Sequence, residues 1–219
     1  MRPPSTLALA FALALAAPLA LASAPRYTQA AGSTLGFSSS YDGESFEGRF
    51  TRFQSAIAFD PATASGRFDV VIELGSANTE NDERDEVLLD AEFFNAAAMP
   101  QARYTASTFR KLADGRFVAE GRLSLRGVTK AVPLTFRWTP GAAPVLEGTA
   151  SVPRLAFNVG TGDWADLELL PDAVTVSTRL LLQAASAQAA RKAATAAASK
   201  GQASSRPLSS SRSTGTRSP

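Results

Sequence analysis

The 219-residue chain contains no cysteine and no histidine. Without cysteine there is no disulfide framework, no thiolate nucleophile and no thiolate-bound metal. Without histidine there is no Ser-His-Asp or Cys-His nucleophile, and no zinc or iron site built on imidazole. No catalytic residues, cofactor or metal are expected, and a binding protein becomes the leading reading. Acidic residues are missing from both ends. All 20 lie between residues 25 and 183, against 15 basic ones there, for a net of −5. The last 36 residues carry Arg191, Lys192, Lys200, Arg206, Arg212 and Arg217 with no acid. The overall +2 therefore reflects the tail, and nucleic acid is not an expected partner. No apolar run reaches the roughly 20 residues of a spanning helix.

What is present divides into three segments. Met1 and Arg2 precede an apolar stretch from Leu7 to Leu21, interrupted by Pro18 and followed by the small residues Ala20 and Ala22. Residues 1–22 read as a secretory signal cleaved after Ala22, which places the mature protein in an exported compartment. Residues 23–183 read as one β-domain. Residues 184–219, rich in Ala, Ser and Arg, read as a disordered basic tail with loose attraction to anionic lipid or cell-wall polymer.

Within the domain the signal is period two. Phe68, Val70, Ile72 and Leu74 alternate with Asp69, Val71 and Glu73. The same alternation runs through Phe117–Leu125, Val132–Trp138 and Val174–Leu182. Asp60-Pro61, Ala113-Asp114-Gly115, Arg126-Gly127, Thr139-Pro140-Gly141 and Pro171-Asp172 punctuate it. Some eight half-buried antiparallel strands are predicted, closing as a sandwich or barrel. Thr79 to Glu86 breaks the alternation with capping and acidic residues, so a short helix is predicted from about Asp82 to Leu89, with Phe93-Phe94 plugging into the sheet.

Three chemical motifs yield to plainer readings. Glu80–Glu86 lacks the ligand order of a calcium loop. Gly160-Thr161-Gly162-Asp163-Trp164-Ala165 fits the dinucleotide fingerprint in letters only, because no βαβ unit follows. Asp163 and Asp166 sit on a glycine-rich loop, solvated or paired with Arg154, rather than as an acid/base pair. The positive feature is an excess of inward-facing aromatics. An eight-stranded barrel has an interior that side chains just fill or that one ligand occupies, and periodicity leaves both open.

Gly121-Arg122-Leu123-Ser124-Leu125-Arg126-Gly127-Val128-Thr129-Lys130 resembles the G-x-L-T-I-R-G-V-T-K hairpin of the YceI-like family. Arg84-Asp85 with Leu88, Phe93-Phe94 and Met99-Pro100 is similar to that family's R-D-x-x-L-x-x-x-x-F-F…P stretch. Gly48-Arg49-Phe50, Phe59-Asp60 and Arg154–Gly160 extend the likeness across Tyr27 to Leu182. The resemblance implies an all-β, eight-stranded antiparallel lipocalin-like barrel with a short helical insertion. It also implies a periplasmic location and an isoprenoid-type lipid or quinone ligand in an elongated apolar lumen. Where relatives carry a His after the first strand, this chain has Tyr41. The candidate lumen and mouth residues are Phe37, Tyr41, Phe50, Ile72, Phe93, Phe94, Tyr104, Phe117, Leu123, Leu134, Phe136, Trp138, Phe157 and Trp164. Among them Tyr41, Tyr104 and Trp164 join an apolar ring to a polar tip, as a head-group contact requires. A closed, filled core and an Asp- or Tyr-dependent enzyme on an apolar substrate are the competing readings.

Overall fold

Alternating apolar residues commit the chain to strands, and the computed structural model, which describes residues 24–185, shows how they close. Strands β1 (Arg26–Gln29) and β2 (Thr34–Tyr41) both pair with the last strand, β14 (Ala173–Ala184), at successive heights. Gln29 stands opposite Leu182 and Leu35 opposite Thr178. They are two halves of one bent strand. Strands β3 (Glu44–Phe50) and β4 (Phe53–Asp60) bend likewise, β3 lying on β2 and β4 on β1. Strand β5 (Ser65–Glu73) pairs with β4 and, beyond a tight turn at Leu74–Ser76, β6 (Ala77–Asn78) pairs with β3. Strand β7 (Gln101–Ala106) lies on β5, and β8 (Phe109–Lys111) prolongs it against β9 (Phe117–Ala119). Strand β10 (Arg122–Leu125) prolongs β9 and pairs with β7. Strand β11 (Val128–Ala131) pairs with β10, and its continuation β12 (Leu134–Thr139) pairs with β9. Strand β13 (Val145–Pro153) then joins β12 to β14.

The fourteen segments thus compose eight bent strands, each antiparallel to the next and the eighth back on the first. This is a closed up-and-down barrel, which leaves no long sheet edge to aggregate. The difference between eight predicted strands and fourteen segments lies in the bends. Pro133 cannot donate to a ladder and divides β11 from β12. Gly121 divides β9 from β10, and the Val132 N–H donates to its carbonyl at 2.9 Å, so the two bends brace each other. The last ladder also runs past the predicted start of the tail: Ala184 pairs with Tyr27, and the Ala185 N–H donates to the Arg26 carbonyl at 2.9 Å. The predicted signal segment and the remainder of the tail lie outside the described residues.

Helix α1 spans Asp82–Leu89, where the capping pattern predicts it. Asn81 caps it by accepting the Arg84 N–H at 2.9 Å, and Asp82, Glu83 and Asp85 favour its positive end. It belongs to one of two long connections, residues 79–100 and 154–172, at the same end of the barrel. The hairpin tips at residues 61–64, 112–116 and 140–144 mark the other end.

Candidate functional site

Inward side chains divide the barrel interior into two unlike halves. At the hairpin end, Phe59 is fully buried and its ring lies 5.1–5.9 Å from those of Phe68, Phe109, Phe117, Phe136 and Trp138. Tyr27 covers Trp138 from the first strand at 5.6 Å. Most of these contacts are tilted or edge-to-face, the geometry that the ring quadrupoles favour. This end is a solid aromatic plug, and the filled-core reading holds here.

The opposite end is closed by a cap built from the two long connections. Asp85 fixes the helix to the barrel by accepting the Thr79 hydroxyl and backbone N–H, both at 2.7 Å, and the Asn78 amide at 3.2 Å. Arg84 lays its guanidinium over the Phe46 ring at 4.6 Å. Arg126 stands in the two-residue turn between β10 and β11. Arg126 and Gly127 both adopt left-handed backbone, the two-residue turn that matches the strand twist. The Arg126 side chain then donates to the carbonyls of Glu92, Phe93 and Asn158, tying one connection to the other.

Arg154 holds the second connection together. It is 3 % exposed, and its five donors all end on backbone carbonyls. Nε donates to Pro171, Nη1 to Val159 and Gly160, and Nη2 to Trp164 and Leu170. Burial lowers the guanidinium pKa, and the charge of Asp172 opposes that shift. The predicted pairing of Arg154 with Asp163 or Asp166 does not occur. The Asp166 carboxylate accepts the Glu168 N–H at 2.9 Å, while carbonyls consume every Arg154 donor.

Between plug and cap lies a chamber of about 190 Å³. Ile57, Phe68, Leu146 and Leu180 belong to the plug and form its floor. Leu88, Phe93, Phe94, Val159 and Leu170 come down from the cap. Ser39, Tyr104, Arg154 and Thr178 are the only lining residues with polar side chains, and no carboxylate reaches the wall among the described residues. Three of the four are already engaged. The Tyr104 hydroxyl donates to the Ala119 carbonyl at 3.3 Å, Thr178 donates to the Thr34 carbonyl at 3.1 Å, and Arg154 is saturated as above. Burial, reinforced by the charge of Glu120, pushes the Tyr104 phenol well above its usual range, so it stays neutral. Ser39 alone keeps a buried oxygen without a partner.

Eight of the predicted residues line the chamber: Phe37, Phe50, Ile72, Phe93, Phe94, Tyr104, Leu123 and Leu134. The other six stand elsewhere. Phe117, Phe136 and Trp138 are packed inside the plug, because they stand on the stretches of their strands next to the hairpin tips. Phe157 is fully buried within the cap's own core. Tyr41 and Trp164 form the outer side of the cap, their rings 5.9 Å apart, with Trp164 donating to the Glu92 carboxylate at 2.9 Å. The sequence reading missed Ser39, although it falls in step with Leu35 and Phe37 on β2. A polar residue at an inward position was the available signal.

A closed antiparallel barrel with an apolar chamber between a plug and a cap has the architecture of the barrels that enclose one small ligand. Residues 27–182 match the YceI-like domain, and the chain belongs to that family. A UPF0312 protein of Vibrio vulnificus is 29% identical over 180 residues, covering 75% of this chain and 95% of that protein. The crystal structure of Burkholderia cenocepacia BcnA is similar with a TM-score of 0.62 and 28% identity, covering 68% of this chain and 94% of that one. A polyisoprenoid binding domain from Saccharophagus degradans shares the fold with a TM-score of 0.57 at 20% identity, over 74% of this chain and 99% of that one.

Proposed function

We propose that the protein binds an isoprenoid-type amphiphile, a polyisoprenoid or an isoprenoid quinone, in the chamber between plug and cap, and so transports, stores or sequesters it. The observation that carries this reading is the chamber itself: about 190 Å³ of space walled almost wholly by apolar side chains, inside a barrel that a filled core would have closed. A hydrocarbon moving there from water gains about 25 cal/mol per Å² of apolar surface removed. The Saccharophagus degradans domain of the same fold is a polyisoprenoid binding domain, which supports the isoprenoid class. The mechanism is binding without bond making. No carboxylate lines the chamber among the described residues, and the Tyr104 phenol there is held neutral, so the wall offers burial and hydrogen bonding rather than proton transfer.

The signal-like character of residues 1–22 supports action after export, in the periplasm. The basic residues of the tail would add loose attraction to anionic lipid or cell-wall polymer. Two measurements test the reading. Native mass spectrometry of protein purified in the presence of cell membranes should reveal a bound species that organic extraction identifies as an isoprenoid. Intact mass of the exported protein should give a start at Ser23, or at Pro25. Wild-type protein that never retains an isoprenoid refutes the binding reading, and an exported species retaining Met1 refutes the processing.

A further inference from the structure

Barrel depth and the polar groups of the chamber wall together restrict what it takes. The wall residues contributed by β14 run from Val174 to Leu180, and Leu180 belongs to the floor. Six residues at about 3.3 Å each span about 20 Å of strand. With a strand tilt of about 40°, that is about 15 Å along the barrel axis. Extended hydrocarbon built on bonds of about 1.5 Å advances about 1.25 Å per carbon, so the depth takes about twelve backbone carbons. Below the floor the plug leaves no room, for Phe68 lies 4.7 Å from Phe109 and 5.3 Å from Phe136, centroid to centroid.

The head is restricted by elimination. Tyr104, Arg154 and Thr178 spend their donors on backbone carbonyls, whereas the Ser39 hydroxyl is shut off from solvent and has no partner. Gln29, Ser55 and Arg84 also leave buried atoms unpartnered, but none of them lines the chamber. One hydroxyl satisfies one neutral oxygen. It cannot neutralise a phosphate, which would need several charged donors.

We propose that the ligand is a neutral amphiphile with a single hydrogen-bonding oxygen anchored at Ser39 and a hydrocarbon chain stopped by Phe68, so that no more than about three prenyl units are buried. The proposal rests on the binding function above and narrows it. Longer chains enter no deeper, because the plug is solid.

The test is calorimetry and native mass spectrometry with geraniol, farnesol, geranylgeraniol, farnesyl phosphate and a C15 terpene hydrocarbon. Each buried methylene strengthens binding about fourfold, so wild-type affinity should rise more than tenfold from C10 to C15 and less than threefold from C15 to C20. Farnesyl phosphate should bind at least tenfold more weakly than farnesol. Ser39→Ala should weaken farnesol about five- to tenfold and leave the C15 hydrocarbon unchanged. Phe68→Ala should restore the gain at C20; should that variant fail to fold, Phe68→Leu should do so in part. Equal affinity for C15 and C20 in Phe68→Ala overturns the floor. A phosphate bound as tightly as the alcohol, or Ser39→Ala binding farnesol like wild type, overturns the anchor. Wild type that binds every alcohol with affinity still climbing at C20 overturns this proposal and spares the binding function, while wild type that retains none of them overturns both.

Discussion

Replacing Arg154 by methionine keeps the length and bulk of the side chain and deletes all five donors. The carbonyls of Val159, Gly160, Trp164, Leu170 and Pro171 would then be left inside the cap without partners. Hydrogen bonds to a charged group contribute about 1.5–3 kcal/mol each, and five of them added together, about 7.5–15 kcal/mol, would be as large as the whole stability of a domain, about 5–15 kcal/mol. That sum is never reached. Residues 154–172 can instead lift from the barrel and hydrate their carbonyls, so the cost is capped by the free energy of undocking the connection. Deleting the guanidinium also removes its desolvation penalty, the cause of its lowered pKa. A net loss of about 3–5 kcal/mol is expected, within the range seen when a buried charged network loses one member. Arg154→Lys, with three donors for five acceptors, should fall between. Urea unfolding at unchanged slope measures the loss. Hydrogen exchange locates it, because the Gly160 N–H donates to the Glu92 carbonyl across the two connections at 2.7 Å and reports whether they remain docked. Arg154→Met within about 1 kcal/mol of wild type, with Gly160 exchange as slow as before, would refute the reasoning.

Four further outcomes follow from the same geometry. Phe136→Asp, at a ring 1 % exposed and stacked on Phe117, should abolish folding as judged by near-ultraviolet circular dichroism, since an unpaired carboxylate has no water to reach inside the plug; a folded variant that has merely lost ligand would mean the plug is open. Gly121→Ala would bring a Cβ to 1.9 Å from the Tyr104 hydroxyl oxygen, costing about 1–3 kcal/mol of stability, and a double-mutant cycle with Tyr104→Leu should recover most of it. Ser39→Ala removes no intramolecular hydrogen bond, so its thermal midpoint should correspond to a change within about 0.5 kcal/mol, and a larger loss would mean that Ser39 has a structural partner. The Asp60 carboxylate accepts the Ala62 N–H and the Thr63 hydroxyl, which hold its pKa below the ordinary 3.8; its contribution is complete above that ordinary value and disappears as pH falls through the lowered one. An NMR titration of Asp60 with its midpoint at or above 3.8 would contradict this, and Thr63→Val should move the midpoint upward.

Period-two alternation states which side of a strand faces inward and is silent about height along the barrel. Phe136 and Phe50 carry the same inward signature, yet one is locked among plug aromatics and the other lines the chamber. Height is decided by register and by the placing of the long connections, both of which depend on residues far apart in the chain. Local chemistry was legible. Asn81 and the acids after it mark the start of α1, and Arg126-Gly127 marks a two-residue hairpin. The bends were legible in part, for Pro133 interrupts a pattern that otherwise reads as one strand from Val128 to Thr139.

The arginines explain why the cap was the hardest part to read. In sequence, Arg84, Arg126 and Arg154 are three charges among 22 basic residues, and a solvated surface is the ordinary place for each. Their use here depends on partners brought up by the fold: a Phe46 ring for Arg84, carbonyls of two connections for Arg126, and five carbonyls of its own connection for Arg154. No spacing rule links an arginine to the carbonyls that an irregular loop will present. The stretches that carry the family resemblance nonetheless contain all three, in Arg84-Asp85, the Gly121–Lys130 hairpin and the Arg154–Gly160 segment. Their common task in this fold is to build the cap. The chamber half of the barrel ends under that cap, whereas the other half is filled by the aromatic rings of the plug.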